Sequence, residues 1–192
     1  MKELEDRILK EGKVLPGDIL KVDSFLNHQV DSQLATRIGE EFHRLFHEKP
    51  INKILTIEAS GIIYAMPAAQ AFGNVPVLIA RKTAVGTMSE EKYSAEAFSY
   101  TKKTPYTIAV SKDYLSEEDH VLLVDDFLAN GEAMCALIKL CHEAGAVIEG
   151  CGIVIEKHYQ AGRKRIEAEG VEVTSLACIE SMGEDGIRFA EK

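Results

Sequence analysis

The chain has 192 residues, 46% of them hydrophobic and 28% charged, a composition that excludes fibrous, low-complexity and disordered proteins. A chain of this length buries about 70% of its unfolded surface, so we expect one domain over residues 1–192 without disulfide or metal staples. The formal net charge of −9 opposes sequence-independent binding to a polyanionic duplex, and nucleic acid is therefore not an expected partner.

No apolar run approaches the roughly 18 residues that a membrane-spanning helix needs. Residues 1–7 carry charges of both signs and lack the apolar centre of a secretory signal. The four cysteines form no Cys-x-x-Cys pair and have no histidine at zinc-finger spacing, so we interpret them as packing residues. These features predict a cytoplasmic protein without a membrane partner and without a metal site of its own.

The N-terminal part of the chain predicts two amphipathic helices. Apolar residues have helical spacing over residues 2–12. Residues 31–46 fit a second helix that Asp31 caps. Between the two helices, residues 14–30 mix apolar and polar side chains in a way that no regular core face requires, which indicates an irregular cover. The apolar stripe predicted for the second helix consists of Leu34, Ile38, Phe42, Leu45 and Phe46.

From residue 53 onward, short apolar runs alternate with helical segments. This alternation is typical of an α/β fold with a central, mostly parallel sheet that helices flank. The predicted strands are 53–57, 75–80, 121–124, 147–155 and 171–177, the last of which closes the sheet, and the predicted helices are 61–71 and 132–144.

One insertion, residues 82–106, departs from this alternation because its polar residues have little to bury. A loop longer than about 15 residues inside a compact domain is usually functional or disordered. A solvated excursion is one interpretation. Its position directly after Arg81 and Lys82 at a strand end favours a flexible lid over a site.

Ligands of open parallel sheets bind at the carboxyl ends of the strands. Asp125 and Asp126 follow the apolar run 121–124, and two adjacent carboxylates there require a partner: a metal ion, a set of hydroxyls or nearby cations. The small residues 129–133 then lead into a helix, whose first N–H groups can hold a phosphate. Diol-binding acids followed by a phosphate-binding loop fit a ribose 5-phosphate.

Two other protein classes place acids after a strand. Nucleotide triphosphatases do so, but the chain contains no Gly-x-x-x-x-Gly-Lys-Ser/Thr motif. Receiver domains do so near the chain start and add a phosphate-accepting aspartate after a later strand, an order that is absent here.

Residues 121–131 resemble the phosphoribosyl-pyrophosphate (PRPP) signature of type I phosphoribosyltransferases; they read VLLVDDFLANG. Residues 20–29 and 152–157 resemble the bacterial members of that family that salvage xanthine; they read LKVDSFLNHQ and GIVIEK. The resemblance implies a type I phosphoribosyltransferase fold with an N-terminal hood and helices over residues 1–50 and a core over residues 51–192. It also implies a homodimer.

The resemblance further implies how PRPP is held. Asp125 and Asp126 would bind the ribose 2- and 3-hydroxyls, and residues 58–61 would form a pyrophosphate loop with an unusual peptide geometry, in which Ser60 and Gly61 offer backbone amides. Many relatives have Thr-Gly-Gly-Thr where this chain has residues 130–133, so we expect the Glu132 side chain to point outward. The residues that would surround the 5-phosphate are Ala129, Asn130, Gly131, Glu132 and Ala133.

Arg81 and Lys82 are either an ordinary solvated pair or, as the resemblance implies, ligands of pyrophosphate, with the lysine reaching into a neighbouring subunit. Lys157 is either a lysine that extends to solvent or a donor to a purine carbonyl. The resemblance places Lys157, Asn27 and Leu20 at the base.

The implied reaction converts xanthine and PRPP to xanthosine 5-monophosphate and pyrophosphate, with Mg²⁺ carried by the PRPP or pyrophosphate. Guanine and hypoxanthine remain open as alternative bases, whereas adenine lacks the carbonyl that Lys157 would contact. Regulators that sense PRPP share this signature, but the chain has no basic run and no added winged-helix segment.

Overall fold

The computed structural model describes residues 1–82, 91–99, 104–183 and 185–190. Its α-helices are α1 Lys2–Glu11, α2 Ser32–Phe46, α3 Gly61–Ala71, α4 Glu132–Ala144 and α5 Gly162–Ala168. Its strands are β1 Lys13–Leu15, β2 Ile19–Lys21, β3 Lys53–Ile57, β4 Val77–Lys82, β5 Lys92–Ser99, β6 Thr104–Ser111, β7 His120–Leu128, β8 Val147–Lys157, β9 Val173–Gly183 and β10 Gly186–Phe189. None of the helices in these ranges has both the length and the apolar composition that crossing a membrane would require.

The central sheet has the strand order β10-β9-β8-β7-β3-β4-β6-β5. Strands β9, β8, β7, β3 and β4 are parallel to their neighbours within that group, and β10, β6 and β5 add antiparallel pairs at the two edges. The predicted α/β class and mostly parallel sheet are therefore confirmed. Strand β7 lies in the middle, which brings its carboxyl end next to those of β3 and β8.

Two apolar cores cover the two faces of the sheet. Along β7, Leu122 and Val124 belong to the core that α2 and α3 complete, whereas Val121 and Leu123 belong to the core that α4 completes. All four side chains are fully buried, because successive residues of a strand point to opposite faces. The run of four apolar residues follows from burial on both faces.

The N-terminal segment confirms both predicted helices. The Asp31 carboxylate accepts hydrogen bonds from the backbone N–H groups of Gln33 and Leu34, each at 3.1 Å, as a helix cap does. The predicted stripe is wrong at Leu45, which is 40% exposed. The segment 14–30 is also more regular than predicted, because β1 and β2 form an antiparallel hairpin in it.

The predicted loop over residues 82–106 is wrong for much of its length. Residues 92–99 form β5, which pairs with β6 from residue 104 onward and extends the sheet. Ala95 and Ala97 are buried, so alternate small side chains supply the apolar face that the polar residues obscured in the sequence. The other predicted lid residues, 83–90 and 100–103, lie outside the described residues.

At the other edge the sheet does not end with the strand predicted at 171–177. Strand β9 continues to Gly183 and β10 pairs with it in the antiparallel direction. The short helix α5, which the sequence did not predict, connects β8 to β9.

Candidate active site

The two acids lie within β7 rather than after it, because the strand continues to Leu128. The backbone N–H of Asp126 donates to the Asp125 carboxylate at 2.9 Å, and that of Phe127 donates to the Asp126 carboxylate at 3.0 Å. Asp125 is only 7% exposed. Each carboxylate is thus fixed by the next backbone amide at the centre of the sheet edge.

Burial raises the pKa of Asp125 well above its usual range, and the neighbouring charge of Asp126 raises it further. Burial also raises the pKa of Asp126, although hydrogen bonds that include one from the Asn27 side chain oppose that effect. Two adjacent buried carboxylates repel each other and raise the free energy of the folded protein. They therefore indicate a site that gains most when a ligand supplies hydroxyl donors or positive charge.

Residues 129–131 connect β7 to α4, and residues 129–133 line a cavity of about 230 Å³ together with Asp125 and Tyr106. Gly131 precedes α4 with a φ of +82°, and a Cβ there would lie 2.9 Å from the Gly162 Cα. Only glycine meets both the left-handed conformation and this close approach. Gly131 offers no side chain to cap α4, so the N–H groups of the first turn are available to an anion in the cavity.

Glu132 does not point outward as the sequence predicted. Its side chain is 23% exposed, lines the same cavity and forms an ion pair with Arg165 of α5. Arg165 therefore neutralises the negative charge of Glu132 in the segment 129–133. Sequence reasoning missed Arg165 because it did not predict α5.

A second cavity, of about 140 Å³, adjoins the first and shares Tyr106, Asp125 and Ala133 with it. It is lined by residues 57–60, which precede α3, and by Lys82. The peptide bond between Glu58 and Ala59 is cis, in agreement with the unusual geometry that the resemblance implied.

Gly61 is the first residue of α3, and steric contacts there exclude any side chain. A Cβ on Gly61 would lie 2.3 Å from Thr56 Oγ1 and 2.8 Å from Asp125 Oδ1. The start of α3 thus packs directly against the first of the two acids, and Ser60 precedes it without a side-chain cap.

Arg81 and Lys82 end β4 at the same edge of the sheet, and both are exposed. The backbone N–H of Lys82 donates to Glu58 Oε1 at 2.5 Å, and Arg81 Nη1 lies 3.7 Å from Glu58 Oε2. The Lys82 ammonium lies 5.2 Å from the centre of the Tyr106 ring, a cation–π contact. Glu58 therefore contacts the Arg81 guanidinium and the Lys82 backbone, which holds both residues beside the loop 57–60.

Tyr106 lines both cavities, and sequence reasoning missed it because it lay in the predicted loop. Burial, followed by the charge of Asp125, raises the pKa of its phenol. The signal that could have found it is its two-residue spacing from the buried Ile108 and Val110, which is a strand pattern.

The three residues predicted to bind the base lie in two parts of the chain that contact each other: Lys157 in β8, and Leu20 and Asn27 in the N-terminal segment. Lys157 ends β8, and its ammonium donates to the backbone oxygen of Asp18 in the turn between β1 and β2. Leu20 is buried two residues after that turn, and the exposed Asn27 donates to Asp126. The N-terminal segment thus contacts both Lys157 and the acidic pair.

Glu156 precedes Lys157 and is 1% exposed. Burial alone would raise its pKa, but hydrogen bonds from Arg163, Ser175 and His158 outweigh burial and lower the pKa to about 2. The two Arg163 contacts, at 2.8 and 2.6 Å, form a forked pair. Glu156 lies near His158 and Cys178, which are possible metal ligands, but its charge is balanced by the Arg163 guanidinium. The ion pair of Glu156 with Arg163 holds the end of β8, where Lys157 lies.

The model of the phosphoribosyl transferase domain family matches residues 21–180 of the chain. The chain belongs to the phosphoribosyltransferase family. A xanthine phosphoribosyltransferase of Clostridium novyi is 54% identical over 98% of this chain and 99% of its own length. One of Brevibacillus brevis is 52% identical over 100% of this chain and 97% of its own length.

Solved phosphoribosyltransferases share the fold. A Giardia lamblia adenine phosphoribosyltransferase in complex with 9-deazaadenine matches with a TM-score of 0.74 and 22% identity, over 90% of this chain and 95% of its own. The Saccharomyces cerevisiae adenine phosphoribosyltransferase matches with a TM-score of 0.73 and 20% identity, over 92% and 99%. The type I phosphoribosyltransferase fold that the sequence predicted is thus confirmed.

Proposed function

We infer that this chain is a xanthine phosphoribosyltransferase, which transfers the phosphoribosyl group of PRPP to xanthine and releases pyrophosphate. The observation that carries this inference is the acidic pair Asp125–Asp126: Asp125 lines both adjoining cavities and Asp126 lines the second, beside the loops 129–133 and 57–60. The relatives named xanthine phosphoribosyltransferase, two of which match nearly end to end at 52% and 54% identity, support the choice of base.

The 5-phosphate is assigned to the first cavity, and the ribose to the boundary between the two cavities, where Asp125 lines both and Asp126 lines the second. The Asp125 and Asp126 carboxylates accept hydrogen bonds from the 2- and 3-hydroxyls, and charge-assisted bonds of this kind are stronger than neutral ones. The 5-phosphate accepts from the backbone N–H groups of residues 129–133 at the start of α4. Asn130 and Ala133 contribute through their backbone amides, so their side chains are not required to donate.

The pyrophosphate is assigned to the second cavity, which Ser60 and Lys82 line, and beside it Gly61 offers a further amide and Arg81 a further positive charge. In the reaction the bond from ribose C1 to pyrophosphate breaks, a bond from C1 to a purine nitrogen forms, and that nitrogen loses its proton. Negative charge grows on pyrophosphate, and fixed donors aimed at it lower the barrier. Mg²⁺ enters with PRPP as part of that substrate and neutralises part of this charge.

The base is assigned to the space beneath the N-terminal hood, residues 1–50. Lys157 and Asn27 both donate hydrogen bonds, which suits the two carbonyl oxygens of xanthine. Leu20 gives an apolar or backbone contact. Since Asn27 already contacts Asp126, the base and ribose subsites are linked through one side chain.

The hairpin of β5 and β6, which lies in the segment predicted as a lid, is proposed as the cover that excludes water from the sugar donor. Tyr106, which lines both cavities, supports this assignment. The four free thiols suit the reducing interior of a cell, and we propose a cytoplasmic location for the enzyme.

Wild-type protein is expected to prefer xanthine at least about tenfold in kcat/KM, because a donor that the bound base covers and leaves without a partner costs on the order of 1 to 3 kcal/mol. Asn27→Ala should reduce that preference more than it raises the KM for PRPP. The measurement is pyrophosphate release with Mg²⁺, PRPP and, in turn, xanthine, guanine, hypoxanthine, adenine and uracil.

Gln29→Ala is the matched control, because Gln29 is an exposed amide of the same segment whose side chain donates to the Ser24 backbone. It should leave the base preference unchanged. Equal use of guanine or hypoxanthine by the wild type, or an unchanged ratio in Asn27→Ala, would refute the base pocket. Absence of pyrophosphate release with every base would refute the reaction.

We propose that the active species is a homodimer in which the Lys82 of one subunit serves the site of the other. In that case Lys82→Ala protein mixed with Asp125→Asn/Asp126→Asn protein should regain activity, up to about a quarter of the wild-type rate if exchange is statistical and one intact site forms per heterodimer. Subunit exchange is checked with differently tagged chains. Lys82 lines the cavity of its own chain here, so a mixture that exchanges subunits but stays inactive would indicate a site built within one chain.

A further inference from the structure

Helix α5 packs against the loop 129–133 through backbone contacts. The Gly162 N–H donates to the Ala129 carbonyl at 3.0 Å, and a Cβ on Gly162 would lie 2.4 Å from that same oxygen. Gly131 packs against Gly162 from the other side, with its φ of +82°. The start of α5 therefore determines where this loop lies.

One turn into α5, Arg165 makes two further contacts with the loop. Its Nη1 donates to the Asn130 carbonyl at 2.7 Å and to the Glu132 carboxylate. The side chains are 39% and 23% exposed, so the pair lies at the rim of the cavity rather than free in solvent. Arg165 thus contacts a carbonyl and a carboxylate that adjoin the same anion-binding space.

The Asn130 carbonyl and the Glu132 carboxylate would both repel an anion if no positive charge neutralised them. Glu132 occupies the first turn of α4 and lines the cavity assigned to the 5-phosphate, where its negative charge repels phosphate at short range. A carbonyl oxygen that turned into the cavity would do the same. The guanidinium contacts both at once, because its Nη1 carries two N–H groups.

We propose that Arg165 is a positioning residue for the phosphate of PRPP: it neutralises Glu132 and holds the Asn130 carbonyl away from the cavity, so that the loop presents only N–H groups. The proposal rests on the proposed function for the identity of the phosphate ligand. Arg165 acts through Glu132 and Asn130 and does not itself touch the substrate.

The test is a double-mutant cycle with Arg165→Met and Glu132→Gln. Arg165→Met should raise the KM for PRPP and the Kd for ribose 5-phosphate about tenfold, because Glu132 then faces the phosphate without this partner, while the KM for xanthine stays within about twofold. The double variant should recover most of that loss, since the neutral glutamine no longer repels phosphate. Titration of ribose 5-phosphate by calorimetry measures the subsite without any transfer reaction.

Lys164→Met is the matched control, because it removes a neighbouring exposed cation from the same helix and should leave both constants unchanged. Three results would overturn the proposal: unchanged constants in Arg165→Met, a double variant as weak as Arg165→Met alone, or an equal loss in Lys164→Met. If ribose 5-phosphate follows the expected cycle while no base yields pyrophosphate, the proposed function fails and this inference stands.

Discussion

Replacing Asp125 and Asp126 together with asparagine is expected to reduce kcat/KM at least about a thousandfold, because two charge-assisted interactions with the ribose hydroxyls are lost. The protein should remain folded. Each asparagine keeps an oxygen that can accept the backbone hydrogen bond made in the wild type at 2.9 or 3.0 Å. Pyrophosphate release and a thermal melt of the same sample measure the two properties.

The same substitution is expected to hold or raise the melting temperature at neutral pH. The pKa values of both carboxyls are raised by burial, so the folded chain binds more protons than the unfolded chain. The free energy of unfolding therefore falls as the pH rises from the usual carboxyl pKa toward the raised pKa values. Asparagines do not titrate, so the variant does not lose this stability. The difference in melting temperature between variant and wild type should accordingly be larger at pH 8 than at pH 5.

Asp119→Asn is the matched control for an acid that serves stability. Asp119 is 8% exposed, precedes β7 at the opposite edge of the sheet, and its carboxylate lies 2.6 Å from the Lys53 ammonium. This variant should lower the melting temperature and keep the activity per folded molecule. A folded Asp125→Asn/Asp126→Asn protein with wild-type turnover would contradict the assignment of the site.

Gly61→Ala is expected to lower kcat/KM about a hundredfold, since displacing a catalytic group by a fraction of an ångström to 1 Å has effects of that size. The added methyl group would lie 2.3 Å from Thr56 Oγ1 and 2.8 Å from Asp125 Oδ1, so either α3 or the acid must move. Steady-state kinetics with varied PRPP, together with a thermal melt, measure the effect.

Two variants test the steric explanation. Gly183→Ala adds the same methyl group where no atom lies within 4 Å and should leave activity unchanged. Adding Thr56→Ala to Gly61→Ala removes the closer of the two contacts and should restore part of the activity; Thr56 Oγ1 has no hydrogen-bond partner among the described residues, so its loss breaks no such bond. Full activity in Gly61→Ala would show that the start of α3 does not hold Asp125 in place.

The sequence by itself determined the elements whose residues satisfy a local rule. The cap at Asp31 and the apolar spacing of the following residues predicted α2, and helices α3 and α4 have the predicted bounds 61–71 and 132–144. The central strands were recognisable because burial on both faces demands a continuous apolar run. The acidic pair and the loop 129–133 followed from the same reasoning, because they come directly after the apolar core of β7.

Only the tertiary structure decided the features that depend on contacts between distant parts of the chain. Strand β5 is polar in sequence and forms because it pairs with β6. Strand β10 forms because β9 extends beyond its own apolar residues and pairs with it. The contacts of Asn27 with Asp126, of Lys157 with Asp18 and of Arg165 with Glu132 join residues far apart in sequence. No local pattern encodes such pairs, since each side chain is an ordinary polar residue until folding places its partner beside it.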